Sequence, residues 1–366
     1  MLGKPRRLAV LAEGSFAPLD AKTAIGVLRY RPAEVAAVID STRAGRTAAA
    51  CVGVGGTTPV VAGLDEAAAL GADALLIGIA PQGGQLPAAW RDTVCGALER
   101  GWDVLSGLHV FLGDDPELAR RAEAGGARLI DARRPPATRR VAAGRAARVE
   151  ALVALTVGTD CNVGKMTAAL EIVDALRAQG VRAAFVATGQ TGIFIADHGV
   201  AVDAVPADFV AGEVEALVLE AAREAEVVVV EGQGALHHAG YSGVTLALIH
   251  GAAPRAMVLC HEAGRERVRI TGEPGAGIPI PSLPEVREAY ETAARWTGAG
   301  QVVAVALNTR ALDEPRARAA CEAAGRATGL PAADPVRFGA GSLAQALLEA
   351  RVARGPGSGG NRAPAT

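Results

Sequence analysis

The sequence predicts an α/β protein of two doubly wound domains, each with a parallel sheet between layers of helices. Short runs of Val, Ile and Leu alternate along the chain with longer Ala-rich segments of helical spacing. The chain has 366 residues, of which 50% are hydrophobic, and this is more than one core usually contains. We expect one domain over residues 1–140, a second over 141–352, and a polar, Gly/Pro-rich disordered tail over 353–366.

In the first domain, the short aliphatic runs are predicted strands and the longer segments predicted helices. Strands are expected at residues 8–11, 35–39, 49–52, 74–77, 103–105 and 128–130. Helices are expected at residues 64–70 and 90–100. A third helix should begin at Asp115 and Pro116, because Asp can cap the free amides and Pro suits the first helical position.

Gly-rich loops follow several strands of the first domain and predict a crevice at one edge of its sheet. They cover residues 53–57, 81–84 and 106–109. Asp40 ends a strand at the place where a ribose-binding acid would lie. No loop reproduces a dinucleotide fingerprint, so a structural role and a binding role both stay open.

The Arg-rich segment 133–148 lacks apolar periodicity, and we interpret it as a solvated connection between the domains. The second domain then repeats the alternation of strands and helices. Its strands are expected at residues 151–157, 183–187, 227–230, 256–260 and 302–307. Its helices are expected at residues 166–179, 213–224, 285–297 and 343–351.

Composition indicates a cytoplasmic protein that acts on a small molecule. The net charge is −2 and aromatic residues make up 3%, which argues against nucleic acid as a partner. Five widely spaced cysteines without a Cys-x-x-Cys pair fit reduced thiols. No apolar run approaches the roughly 20 residues that span a bilayer, so no membrane association is expected. Whether the protein forms a homo-oligomer is left open.

A phosphate-binding loop follows the first strand of the second domain. Glycines let successive amides point at phosphate oxygens, the following helix adds positive potential at its amino end, and the lysine adds a point charge. These residues form the predicted cofactor-binding set: Gly158, Thr159, Asp160, Cys161, Asn162, Val163, Gly164, Lys165, Met166 and Thr167.

The loop departs from the common pattern at Met166. It is similar to the loop of dethiobiotin synthetase and its relatives, which resembles G-T-D-x-x-V-G-K-T. The residue after the lysine normally supplies a hydroxyl to Mg²⁺, and a thioether is a poor magnesium ligand. Thr167 can still bond a phosphate, so the loop is expected to grip phosphates without transferring them. No metal-ligand set is predicted.

Polar residues follow the apolar run at 227–230 and form the predicted catalytic centre. Glu231 lies at the carboxyl end of that strand, where open α/β sheets bind ligands, and Gln233 is a predicted substrate-binding residue. His237 and His238 suit proton transfer, and because adjacent side chains diverge, at most one is catalytic.

Thr188, Gln190 and Thr191 follow another strand of the second domain, and their hydroxyls and amide suit a carboxylate or carbonyl of the substrate. A tight turn without chemical function is the alternative interpretation. Asn308 follows the last long strand, at a position where such domains often contact a purine base.

The motifs together resemble a bacterial family long known only as a domain of unknown function, which includes D-glutamate N-acetyltransferases of the DgcN type. The resemblance covers nearly the whole chain before the tail. It rests on these segments: GTDCNVGKMT, FVATGQTG, VDAVPADF, VEGQGALHH, GIAPQGGQLP and SGLHVFLGDDPEL. It implies a Rossmann-like first domain, a P-loop NTPase-like second domain, and acetyl transfer from acetyl-CoA to the amine of a D-amino acid.

The implied activity fits the loop, because coenzyme A has phosphates to be held and none to be transferred. His237 or Glu231 is then the expected base, with backbone amides near Gly234 stabilising the oxyanion. The competing hypothesis is a kinase or ligase that uses ATP with Mg²⁺ to activate a carboxylate, since Lys165, Thr167 and Glu231 are all present. A non-catalytic nucleotide-binding regulator is a third possibility.

Overall fold

A computed structural model describes residues 6–18, 20–79, 84–269 and 277–352. The chain divides into two compact units, each built on its own six-stranded parallel sheet. The first unit runs to Ala137 and also includes Gly189–Val205, whereas the second takes Thr138–Thr188 and continues from Pro206. The predicted fold class of two doubly wound α/β domains is confirmed. The predicted tail at 353–366 and the loop residues 81–83 lie outside the described residues.

The first sheet has the strand order β3-β2-β1-β4-β5-β6, the doubly wound order of Rossmann-like folds. Its central strand, β1, pairs in parallel with β2 on one side and with β4 on the other. Aliphatic side chains fill both faces, as expected for a parallel sheet covered by helices. The strands are β1 Leu8–Leu11, β2 Val35–Ile39, β3 Val60–Val61, β4 Ala74–Ile77, β5 Asp103–Ser106 and β6 Leu129–Asp131.

The described helices of the first unit are α1 Lys22–Tyr30, α2 Ala48–Val52, α3 Leu64–Ala69, α4 Arg91–Glu99, α5 Pro116–Gly125 and, from later in the chain, α7 Gln190–Ala196. Among them, α3, α4 and α5 were predicted, and α1, α2 and α7 were not. The predicted cap of α5 is confirmed: the Asp115 carboxylate accepts hydrogen bonds from the amides of Glu117 at 2.9 Å and Leu118 at 3.1 Å.

The strand predicted at residues 49–52 is wrong, because this segment forms the helix α2. The Thr47 hydroxyl accepts a hydrogen bond from the Ala50 amide and caps the helix, and Gly53 ends it at a positive φ of 77°. The three alanines have high helix propensity, and these local signals prevail. The place beside β2 is taken by β3, whose two residues are too few to show a period in the sequence.

Two further features of the first unit were not foreseen. Helix α7 packs on α1, where the hydroxyls of Thr191 and Thr23 lie 3.0 Å apart in a buried pair. The buried Asp40 carboxylate accepts hydrogen bonds from the amides of Gly14 and Phe16, both at 3.2 Å, and from Thr42. Its acceptor capacity is therefore used to fix the loop after β1, which argues against the ribose-binding role left open above.

The second sheet has the order β12-β11-β10-β7-β9-β8, again all parallel. Its strands are β7 Leu152–Gly158, β8 Ala183–Val186, β9 Val227–Val230, β10 Ala256–Glu262, β11 Gln301–Asn308 and β12 Ala332–Ala333. Its helices are α6 Lys165–Ala178, α8 Ala207–Ala221, α9 Ser242–Ala252, α10 Leu283–Arg295, α11 Glu314–Thr328 and α12 Gly341–Val352. In the part of the chain that is described, no helix has the length and apolar character needed to cross a membrane.

The Arg-rich connection is not simply solvated. Arg140 pairs with Glu213 at 2.6 Å and Arg145 with Glu215 at 2.9 Å, and both carboxylates are buried on α8. A buried carboxylate needs such a partner, because an unpaired charge in the interior is costly. Both arginines are still about half exposed to solvent, as the prediction of a solvated linker requires. The segment is in addition anchored to α8 by long-range pairing that local composition does not reveal.

Candidate active site

The predicted phosphate-binding loop runs from the carboxyl end of β7 to the amino end of α6. It turns through two residues of positive φ, Asn162 at 56° and Gly164 at 109°. The N-cap residue of α6 is Gly164, which has no side chain to cap the amino end of the helix. The amides of its first turn and the positive end of its dipole therefore suit an anionic ligand, as in other phosphate-binding loops.

Lys165 lies beneath this loop with its side chain buried. Its Nζ donates a hydrogen bond to the carbonyl of Asp160 at 2.7 Å. A Cβ added at Gly158 would lie 3.0 Å from Nζ, and one at Gly232 would lie 3.1 Å from Cδ. The two glycines therefore leave the space that the lysine occupies, and the ammonium is held at the loop.

Gly232→Ala is expected to destabilise the second unit strongly. A Cβ at this position would lie 1.6 Å from the carbonyl oxygen of Thr156 on the neighbouring strand β7, so backbone must move. We expect a loss of about 3 kcal/mol or more in the free energy of unfolding, measured by chemical denaturation. The control is Gly243→Ala on α9, where nothing lies within 4 Å, and its stability should be unchanged or rise by up to about 1 kcal/mol, because alanine has the higher helix propensity. Equal stability of the two variants would contradict this packing.

Asp160 shapes the loop. Its carboxylate accepts hydrogen bonds from the Cys161 amide at 2.7 Å, the Arg269 amide at 2.9 Å and the Arg265 guanidinium at 2.8 Å. Potential metal-ligating atoms of Asp160, Cys161 and His238 lie within 4.8 Å of one another. However, both Asp160 oxygens are already engaged, one of them by a cation, so this donor set fits a hydrogen-bonded loop anchor better than a metal centre.

Two residues that the sequence did not identify, the buried Tyr290 and the half-buried His261, support the loop from neighbouring elements. The Tyr290 hydroxyl on α10 donates to the carbonyl of Gly158 at 2.7 Å and accepts from the amide of Leu236 at 3.3 Å. His261 lies 2.9 Å from the hydroxyl of Thr159 through Nδ1, and burial, with the charge of Arg265, lowers its pKa to about 4. His261 is therefore neutral near pH 7, and Tyr290 links the phosphate loop to the segment that contains His237.

The side chain of His237 lies against the beginning of the phosphate loop. It forms a hydrogen bond with the backbone of Thr159, and its Nε2 is buried with no partner among the residues described. In the neutral ring with the proton on Nδ1, Nε2 has the lone pair. Burial lowers the pKa of His237. The lowered pKa favours the neutral ring, which is the form that a general base requires.

His238 has a different environment. The Gly240 amide donates to its Nδ1 at 3.1 Å, and its Nε2 lies 3.3 Å from the carbonyl of Arg269. Both ring nitrogens are engaged by backbone groups of the described residues. Of the two adjacent histidines, His237 therefore has a ring nitrogen without a partner among the described residues, whereas both ring nitrogens of His238 are used to fix the loop.

Glu231, Thr188 and Gln233 are brought together at the ends of β9 and β8. The Thr188 amide donates to the Glu231 carboxylate at 3.0 Å, and the Thr188 hydroxyl donates to the Glu231 carbonyl at 2.7 Å. Gln233 Nε2 donates to the Thr188 hydroxyl at 3.1 Å. Gln190 and Thr191, which were predicted to belong to the same substrate site, make their described contacts within the first unit, with Gly107 and Thr23 respectively.

Met166 and Thr167 occupy the first turn of α6, and both are half-buried. The thioether thus stands in the position from which P-loop proteins normally direct a hydroxyl to magnesium. The Thr167 hydroxyl is the oxygen donor that the first turn retains, and its assignment to a phosphate stays a prediction.

Comparisons with known proteins match both halves of the chain. Residues 41–135 match a domain of unknown function described as the DUF1611_N Rossmann-like domain, and residues 140–344 match the DUF1611_C P-loop domain. A crystal structure of a DUF1611 family protein from Anabaena variabilis is 39% identical, with a TM-score of 0.88, and covers 94% of this chain and 99% of that one.

Two curated relatives are named D-glutamate N-acetyltransferase. The protein from Tritonibacter scottomollicae is 42% identical over 90% of this chain and 94% of its own length. The protein from a Pseudoalteromonas species is 36% identical over 76% of this chain and 82% of its own length. With both domain models matched in order, and with the P-loop geometry described above, this chain belongs to the DUF1611 family.

Proposed function

We propose that this protein is an N-acetyltransferase that moves an acetyl group from acetyl-CoA to the amine of a D-amino acid such as D-glutamate. The names of the two relatives support an acetyltransferase that acts on a D-amino acid. The observation that carries the proposal is that Tyr290 joins the phosphate loop at Gly158 to Leu236, the residue directly before the candidate base His237. A base beside a phosphate-binding loop suits the transfer of a group from a donor that contains phosphates.

The loop fits the phosphates of coenzyme A. The uncapped amino end of α6 and the buried ammonium of Lys165 would hold the diphosphate by the same physics as in nucleotide sites. Met166 offers no hydroxyl to a magnesium ion, and binding a cofactor whose phosphates are not transferred does not require one. When bound, acetyl-CoA would supply a thioester carbonyl to the acceptor amine: a C–N bond would form, the C–S bond would break, and coenzyme A would leave as its thiol.

The residues of this chain would then move the proton and stabilise the charge. His237 Nε2 would take the proton from the acceptor ammonium, so that a free amine is available. Backbone amides near Gly234 would stabilise the developing oxyanion. Glu231 is the second candidate base. Its carboxylate already accepts from Thr188, so we assign it to holding Thr188 and Gln233 in place.

A kinase or ligase that uses ATP with Mg²⁺ is the second candidate, favoured by Lys165, Thr167 and Glu231 in one unit. The two functions differ in their need for magnesium. Treating the protein with a chelator and removing divalent ions is expected to leave the rate of acetyl transfer within about twofold, because Met166 replaces the metal-binding hydroxyl. A loss of rate that added Mg²⁺ restores would support the ATP-dependent function instead.

The direct test is to incubate the purified protein with acetyl-CoA and either D-glutamate or L-glutamate, without ATP. Mass spectrometry would follow the acetylated product, and a thiol reagent would follow the release of coenzyme A. Equal amounts of N-acetyl-D-glutamate and free thiol are expected. Release of thiol without acetylated amino acid, or no reaction with any D-amino acid, would argue against the proposal.

A further inference from the structure

Three arginines surround two carboxylates beside the phosphate loop and form what we call the arginine cluster: Arg265, Arg269 and Arg310. Glu262 ends β10, and Arg310 follows β11, the neighbouring strand. The Arg310 Nη2 lies 3.2 Å from Glu262 Oε1, and the Arg269 Nη2 lies 4.0 Å from Glu262 Oε2. Arg265 pairs with Glu262 and also with Asp160. The cluster has three positive and two negative groups, so it has a surplus of positive charge.

The cluster is joined directly to the phosphate loop. Arg265 Nη1 donates to the carbonyl of Cys161 at 2.7 Å, and the Arg269 amide donates to Asp160. Asn308 precedes Arg310 by two residues, and its Cβ lies 3.9 Å from the position of a Cβ on Gly164. An anion held by the arginine cluster would therefore lie at the rim of the loop, beside β10 and β11.

The three guanidinium groups differ in how much of their binding capacity is already used. The Arg265 side chain is 6% exposed and lies between the two carboxylates, and its Nε is buried with no partner among the described residues. A buried donor without an acceptor is costly, so this group favours an additional oxygen nearby. Arg269 and Arg310 have side chains that are 60% and 48% exposed, so their guanidinium ends are accessible to a ligand from solvent.

We propose that Arg269 and Arg310 bind the phosphate monoester on the ribose of the nucleotide, the 3′-phosphate that distinguishes coenzyme A from its 3′-dephospho form. The inference rests on the proposed function. The diphosphate would lie in the loop, and the ribose is its direct neighbour, so a ribose phosphate falls at the rim where the arginine cluster lies. A phosphate monoester is close to a dianion at neutral pH, and paired guanidinium groups match its charge and its oxygens.

The test compares coenzyme A with 3′-dephospho-coenzyme A by calorimetric titration of the whole protein. The wild type is expected to bind coenzyme A on the order of tenfold tighter or more, as charge-assisted bonds to one phosphate allow. The double variant Arg269→Gln/Arg310→Gln should bind both compounds with nearly equal affinity, close to that of the wild type for the dephospho form. Arg326→Gln on α11, which removes a guanidinium paired with the exposed Glu322, is the control and should keep the full preference.

The outcomes separate this inference from the proposed function. Equal binding of both compounds by the wild type would overturn the role of the arginine cluster and leave the acetyltransferase proposal intact. A preference that persists in the double variant would also overturn it, because other residues would then read the phosphate. If the wild type binds neither compound, the proposed function fails, and this inference fails with it.

Discussion

Replacing His237 by glutamine is expected to lower kcat for acetyl transfer by about 10² to 10⁴-fold, the usual contribution of a general base. The variant keeps a polar group of similar size but removes the lone pair that Nε2 presents. The affinity for acetyl-CoA should change by less than about threefold, because the phosphates are held by the loop and not by this ring. Initial rates and calorimetric titration measure the two effects separately.

The pH dependence of kcat provides a second check on His237. Burial lowers the pKa of this ring below the ordinary histidine value of about 6.5. A base acts in its deprotonated form, so the rate should hold as pH falls to about 6.5 and decline only below it. His237→Gln should lack this acidic decline. A variant of the exposed His198 should keep both the rate and the pH profile, and full activity of His237→Gln would exclude His237 as the base.

The second large effect is expected for Lys165→Met, which should weaken the binding of acetyl-CoA by about 10 to 100-fold, as loss of a charged hydrogen-bond partner implies. Methionine preserves most of the aliphatic stem beside Gly158 and Gly232, so the protein should remain folded, at a cost of about 1 to 3 kcal/mol for the lost hydrogen bond to the Asp160 carbonyl. The drop in affinity then reports the ammonium and not a collapsed loop.

The matched control for Lys165→Met is Arg326→Met, which also replaces a cation by a thioether but lies exposed on α11. It should bind acetyl-CoA as the wild type does. If Lys165→Met binds acetyl-CoA with unchanged affinity while remaining folded, the phosphates are held elsewhere, and the assignment of the loop to the cofactor is wrong.

The phosphate loop was predictable from sequence because its signals are local. A buried strand, two glycines, a lysine and a helix follow one another within a few residues, and the structure has β7, the loop and α6 in that order. The same holds for the cap at Asp115, where one carboxylate and one proline determine where α5 begins. At such positions the local residues determine the backbone structure, and contacts with distant residues have little influence on it.

The supports of the loop were not predictable, because they depend on contacts between residues far apart in the chain. Tyr290 reaches Gly158 across 132 positions, and Arg265 reaches Asp160 across 105. Nothing in the local sequence of α10 distinguishes Tyr290 from an ordinary core residue. Arg265 lies in the segment HEAGRERVR, and the many charged residues just after a buried strand are a sequence signal for a polar site at this end of the sheet.

The segment after β8 shows a related limit. The sequence places Thr188, Gln190 and Thr191 on one polar turn, which predicts either a single substrate site or a tight turn without chemical function. In the structure the chain passes from the second unit to the first at this turn, so that Thr188 bonds Glu231 while Thr191 bonds Thr23. Polar residues that are neighbours in the sequence can thus belong to two different structural units, and only the topology shows to which unit each one belongs.

The most direct test of the central claim, that this loop holds the phosphates of acetyl-CoA, is calorimetric titration of the purified protein with acetyl-CoA and, separately, with ATP plus Mg²⁺. We expect acetyl-CoA to bind, the affinity to fall in Lys165→Met, and ATP with Mg²⁺ to bind weakly or not at all. Saturable binding of ATP with Mg²⁺ and no binding of acetyl-CoA would contradict the account and identify a kinase or ligase instead.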